Sequence, residues 1–135
     1  MKTKIAIIIL LSIMPNCNGA SQEAEIPTIR KAAERNGIKY ASDDWFLLLA
    51  IRKAENGGNG LQFGIMNPKA DNLDKQAGWA SATIIKHHKR FGSPKVTPEF
   101  INSLADRYCP IECDPQGNKN WKKNVRFWFD RWKNE

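Results

Sequence analysis

One glutamate stands out in this chain for its place in its helix. Around it the sequence reads Trp-Phe-Leu-Leu-Leu-Ala-Ile-Arg-Lys-Ala-Glu-Asn over residues 45–56. Leu48, Ile51, Arg52 and Glu55 recur at three- and four-residue spacing, which sets them on or beside one helical face. Leu47, Leu48, Leu49 and Ile51 make this the most apolar segment beyond residue 20, so it is expected at the centre of the fold. A carboxylate in the last turn of such a helix meets the partial negative charge of the helix C-terminus. Burial also disfavours its ionised form. Both effects raise its pKa toward what a general acid needs near neutral pH. Gly57 and Gly58 follow and leave room for a ligand. The same residues also admit plainer roles: a Glu55–Arg52 surface pair, which contributes little, and a glycine helix stop.

Other reactive residues are sparse. His87 and His88 are adjacent on a helix and point in different directions, so both cannot readily join cysteines around a metal; no metal and no cofactor is expected. Lys86-His87-His88-Lys89-Arg90 reads as a solvated basic helix face, with phosphate contact as the alternative. Trp121, Val125, Trp128 and Trp132 fall at 0, +4, +7 and +11 on one helical stripe. That stripe is expected in the core rather than on a membrane surface, with Phe127 and Phe129 widening its aromatic face toward a groove.

The elements that must position these groups are marked by proline, glycine and capping residues. Pro27 falls where a first turn begins and Gly37 where a helix stops, giving a short helix over 27–36. Ser42 caps a helix from Trp45 to Asn56, with Asp43 and Asp44 in its first turn. Residues 60–67 lack a helical period and read as a turn and a short extended piece. A helix follows over 75–91, closed by Gly92. Thr97-Pro98 opens another to about Tyr108. Pro110, Asp114-Pro115 and Gly117 mark a loop, and the last helix spans 120–133. The expected fold is mostly α, a small single domain of about five helices with a short extended turn after the central one. Strands do not alternate with helices, which excludes a dinucleotide-binding α/β fold. Residues 57–60 lack the Lys-Ser/Thr ending of a phosphate loop.

Composition sets the setting. The chain has 135 residues, a net charge of +7, and three cysteines. Two lysines among residues 1–4, an apolar run over 5–14 and small or polar residues from Asn16 to Ala20 form the pattern of a signal peptide. The run is shorter than the roughly 20 residues of a membrane span. The domain boundaries are therefore expected as 1–20 signal peptide and 21–135 working domain, exported to the periplasm or beyond. A lipid anchor on Cys17 is disfavoured, because Met14-Pro15-Asn16 lacks the usual small residues. Removing residues 1–20 takes away two lysines and no acid, lowering the charge to +5, and leaves Cys109 and Cys113. In an exported chain that pair is expected as a local disulfide. A basic domain that is exported is not expected to meet nucleic acid, and a monomer is expected.

Residues 48–67, Leu-Leu-Ala-Ile-Arg-Lys-Ala-Glu-Asn-Gly-Gly-Asn-Gly-Leu-Gln-Phe-Gly-Ile-Met-Asn, resemble the active-site segment of the lysozyme-like soluble lytic transglycosylases. In that family an apolar helix ends in a catalytic Glu, and a turn leads to a Gly-Leu-Met-Gln strand. Gly64-Ile65-Met66-Asn67 is similar to that strand. In a second register Gly60-Leu61-Gln62-Phe63 resembles the Gly-Leu-Gln-Phe of resuscitation-promoting factors, which share the fold. Leu104-Ala105-Asp106-Arg107-Tyr108 is similar to the segment bearing a cleft tyrosine, and Asn124-Val125 to the family's Asn-Tyr-Val. The link from Glu55 to Gly64 is shorter than the family's loop, and Cys109 stands where the family has Asn. The resemblance implies a lysozyme-like fold and cleavage of the β-1,4 bond between N-acetylmuramic acid and N-acetylglucosamine in peptidoglycan glycan strands. It implies Glu55 as catalytic acid and base, with Gln62, Phe63, Met66, Asn67 and Tyr108 contacting substrate. A transglycosylase needs no second carboxylate. An inverting hydrolase needs one about 6.5–9.5 Å from the acid, for which Asp71 and Asp74 are candidates, against plainer roles as solvated loop acids or, for Asp74, a helix cap. Hydrolase and transglycosylase both stay open, as does a non-catalytic basic wall-binding module on the same fold.

Overall fold

The computed structural model describes residues 19–135, with side chains described from residue 23. The expected signal peptide, Cys17 included, lies outside these residues up to position 18. Five helices follow in order: α1 (Gly19–Arg35), α2 (Asp43–Glu55), α3 (Leu73–Phe91), α4 (Pro98–Tyr108) and α5 (Pro115–Lys133). The described chain is mostly α, and no strand is found among the described residues. Residues 60–63 turn, as expected, and residues 64–67 follow without regular structure. No helix among the described residues is long and apolar enough to cross a membrane.

Local chemistry sets most of the ends. Ser42 Oγ accepts from the Trp45 N–H at 3.3 Å, Asn72 Oδ1 from Lys75 N–H at 2.9 Å, and Thr97 Oγ1 from Phe100 N–H at 3.1 Å. Each satisfies an amide that the helix itself leaves unpaired. The cap of α3 is thus Asn72, and Asp74 sits in the first turn instead.

Two boundaries differ from expectation by more than two residues. Helix α1 begins well before Pro27 and runs through it. Proline removes one helical hydrogen bond, but the turns before it are anchored from outside. Glu25 receives both Nε (2.8 Å) and Nη2 (3.1 Å) of Arg52, a largely buried bidentate pair. Helix α5 starts at Pro115 rather than Asn120. Asp114 Oδ1 accepts the Gly117 N–H at 2.8 Å, so the Asp-Pro pair works as a cap and first turn, not as a loop.

One apolar cluster draws on all five helices. Helix α2 is its axis: Leu47, Leu48, Ala50 and Ile51 are wholly buried. It packs most extensively on α5, while α1 lies on α3 and α4 on α5. Trp121, Val125, Phe129 and Trp132 of α5 are buried, so the aromatic stripe is core and Phe129 is unavailable to a groove; Phe127 remains exposed. The basic run of α3 is solvated only at Lys86, Lys89 and Arg90. His87 is buried against Phe100, and burial together with Arg90 lowers its pKa. His88 bridges the Ser93 carbonyl (2.8 Å) and Asp44 (2.7 Å).

The segment between α2 and α3 has neither helix nor strand to pair its backbone, and one side chain of α3 supplies the partners. Gln76 is wholly buried. Its Oε1 accepts from the N–H groups of Phe63 (3.1 Å) and Ile65 (3.2 Å), and its Nε2 donates to the carbonyls of Gly60 (2.8 Å), Ile65 (2.8 Å) and Ala70 (2.6 Å). Leaving such groups buried without partners costs about 1–3 kcal/mol each. Gln76→Leu is therefore expected to lower unfolding free energy by about 4 kcal/mol in urea titration, and a change under about 1 kcal/mol would show that the loop holds itself.

Candidate active site

Glu55 is the last residue of α2, and Asn56 beyond it takes the left-handed conformation (φ +46°), closing the helix on the Arg52 carbonyl. The side chain is half-buried. Its Oε2 accepts the indole N–H of Trp121 at 2.8 Å, a contact across 66 residues of sequence. Its Oε1 meets Gly64, where an added Cβ would collide with the carboxylate. Gly64 also has φ +71°, a conformation glycine takes freely. It is this glycine, not Gly57 or Gly58, that makes room at the carboxyl. Gly57 instead lies against the Leu61 carbonyl, and Gly58 faces open space.

The surface pairing of Glu55 with Arg52 is not formed. Arg52 is buried, and its guanidinium is shared between Glu25 and the Gln62 carbonyl (3.3 Å). Glu55 thus has no ion-pair partner among the described residues. Burial raises its pKa, partly offset by the Trp121 hydrogen bond, which favours the carboxylate.

Tyr108, the last residue of α4, stacks on Trp121 with ring centroids 5.2 Å apart. Its hydroxyl is buried without a hydrogen-bond partner. Burial and the nearby Glu55 charge push its pKa above the ordinary phenol range, so it stays a proton donor. Tyr108 and Gly64 together border a cleft of about 250 Å³, completed by Ile65, Met66, Thr83 and Arg107.

The remaining sequence-derived positions divide. Met66 is 79% exposed and lines the cleft. Gln62 is buried and borders a separate pocket of about 170 Å³ with Glu25, Arg52 and Asn56. Phe63 is wholly in the core and cannot meet a substrate: Gln76 binds its N–H, and that bond fixes it inward. Asn67 is exposed, and its side chain accepts from the Lys69 N–H at 2.9 Å, shaping a turn. Asp71 pairs with Lys75 (3.1 Å), which lowers its pKa. Asp74 pairs with Arg35 (2.8 Å). Neither borders the cleft, and Glu55 meets it only through Gly64.

The expected disulfide is not formed: Cys109 and Cys113 are free. The chain turns at Pro110, whose carbonyl accepts from both Cys113 N–H (3.1 Å) and Asp114 N–H (3.0 Å). Cys109 Sγ lies 4.0 Å from the Asp114 carbonyl, and Cys113 stays exposed. Among the described residues no cluster of His, Cys, Asp and Glu is arranged to hold a metal ion.

Trp121 and Gln76 are the site residues that sequence reasoning missed in this role. The first read as core and the second as an ordinary helix residue. The signal in the sequence is a glutamine in helical register with Ala80 and Ile84. Comparison with family models, with curated proteins and with solved structures finds no match to this chain.

Two outcomes follow for the site. A carboxyl whose pKa is raised by folding stabilises the fold fully below its unfolded pKa and loses that contribution as pH rises through the folded one. Glu55→Gln is therefore expected to raise the melting temperature at pH 7, with the difference from wild type vanishing in acid; a lower melting temperature at pH 7 would contradict this. Gly64→Ala is expected to cost about 1–3 kcal/mol in denaturant titration, from the positive φ and the displaced carboxyl.

Proposed function

We propose that this chain is a peptidoglycan-cleaving glycosidase of lysozyme-like fold, a lytic transglycosylase or muramidase in which Glu55 is general acid and then base. The observation that carries this reading is the carboxyl itself: half-buried at the end of an apolar helix, with raised pKa, held by the Trp121 N–H and set against Gly64, which borders a cleft with Tyr108. Residues 1–20 are proposed as the export signal that brings the enzyme to the wall.

Of the two outcomes the transglycosylase is the better supported. Glu55 gives its proton to the glycosidic oxygen as the bond to muramyl C1 breaks. The muramyl 6-hydroxyl attacks C1, and its proton returns to Glu55. The product is a 1,6-anhydro sugar, and no water is consumed. Only one carboxylate is needed, which agrees with Asp71 and Asp74 being engaged by Lys75 and Arg35. Tyr108 borders the same cleft, with its hydroxyl buried and unpartnered.

The test is mass spectrometry of muropeptides released from purified peptidoglycan. Anhydro-muramyl ends are expected, and Glu55→Gln should lower their yield at least about 100-fold, the scale of acid–base catalysis. Reducing ends would assign hydrolysis instead. Binding to wall without cleavage would mark a wall-binding module. Removal of the indole N–H in Trp121→Phe deprives the carboxylate of its hydrogen bond and raises the Glu55 pKa further. The alkaline limb of the pH–rate profile should then move to higher pH, and a shift to lower pH would contradict the role given to Trp121.

A further inference from the structure

Thr83 also borders a second groove, of about 470 Å³, lined by the end of α1 and by α3. This volume is in the range of small-molecule and cofactor sites, about 300–1,000 Å³. Thr83 borders both, and its hydroxyl is turned back onto the Trp79 carbonyl at 2.9 Å.

The groove has an aromatic floor and a basic rim. Lys75, Trp79, Thr83 and Lys86 lie at 0, +4, +8 and +11 along α3, one face of the helix. Trp79 is 40% exposed, an uncommon position for the largest apolar side chain in a small domain. Its neighbour Gly78 has no side chain to cover it. Arg35 and Lys75 are held by Asp74 and Asp71, while Lys86 is exposed at the Thr83 end. The lining is therefore positive overall, with three cations against Asp74.

A part-exposed indole beside guanidinium and ammonium groups suits a flat pyranose ring carrying an acidic substituent. We propose that this groove is a second carbohydrate subsite, in which the glycan strand continues past Thr83 and an acidic acetamido sugar covers Trp79, with its carboxylate toward Lys86. This rests on the glycosidase reading above, and it adds a length requirement to it: strands that reach from the cleft into the groove bind more tightly than short ones.

Calorimetric titration of Glu55→Gln protein with purified peptidoglycan glycan tetrasaccharide and octasaccharide tests it, because that variant leaves both ligands intact. The octasaccharide is expected to bind at least tenfold more tightly than the tetrasaccharide. Adding Trp79→Ala should abolish that tenfold advantage while leaving tetrasaccharide affinity unchanged, and Trp79→Phe should restore part of it. Lys86→Ala should weaken only the octasaccharide, more so at low salt. Circular dichroism checks that each variant is folded. Equal affinity for the two lengths, or an octasaccharide advantage that survives Trp79→Ala, overturns the subsite and leaves the reading of Glu55 intact. Failure of both oligomers to bind overturns the glycan reading and the subsite together.

Discussion

The site depends on how a segment without regular structure is held against a helical core. Between α2 and α3 the chain makes turns, and its amides and carbonyls have no ladder to join. Gln76 is a buried amide with two donors and one carbonyl, and it engages five of those backbone groups at once. A charged or apolar residue there could not do so. A carboxylate would face three carbonyls without a proton to offer, and an aliphatic chain would leave every partner buried and unsatisfied. Because Gln76 takes Phe63 and Ile65 on either side of Gly64, it also fixes the glycine that touches Glu55. Loop register and carboxyl environment are thus coupled through one side chain.

A second constraint acts on the other flank of Glu55. Helix α5 brings Trp121 across 66 residues of sequence to donate its indole N–H, and the same indole stacks on Tyr108. The carboxyl is therefore held between a glycine backbone and an aromatic pair. Burial favours its protonated form, while the indole keeps the ionised form accessible. A group that must both give and take a proton needs this balance. Arg52 does not disturb it, since Glu25 and the Gln62 carbonyl occupy the guanidinium.

Features governed by near neighbours in sequence were legible. Ser42, Thr97 and Gly92 bound their helices because capping acts over three or four residues. The apolar run around Leu48 is the core helix because its pattern leaves no other place for it. Glu55 could be singled out for the same reason. What could not be read depends on distant partners. Pro27 looks like a helix start until Glu25 is seen bound to Arg52. Phe63 looks like a ligand contact by motif, yet Gln76 turns it into the core. Cys109 and Cys113 look like a disulfide by spacing, yet both are free thiols. Trp121 looks like core by periodicity, yet its indole reaches the site, donating to Glu55 and stacking on Tyr108.

The central claim is physical: folding shifts the Glu55 carboxyl toward its protonated form. Carbon-13 NMR titration of that carboxyl in the folded wild-type protein measures this directly. The account predicts a pKa above that of an ordinary solvated glutamate, falling to the ordinary value when the protein is unfolded. A folded-state value at or below that of an unfolded peptide would contradict it.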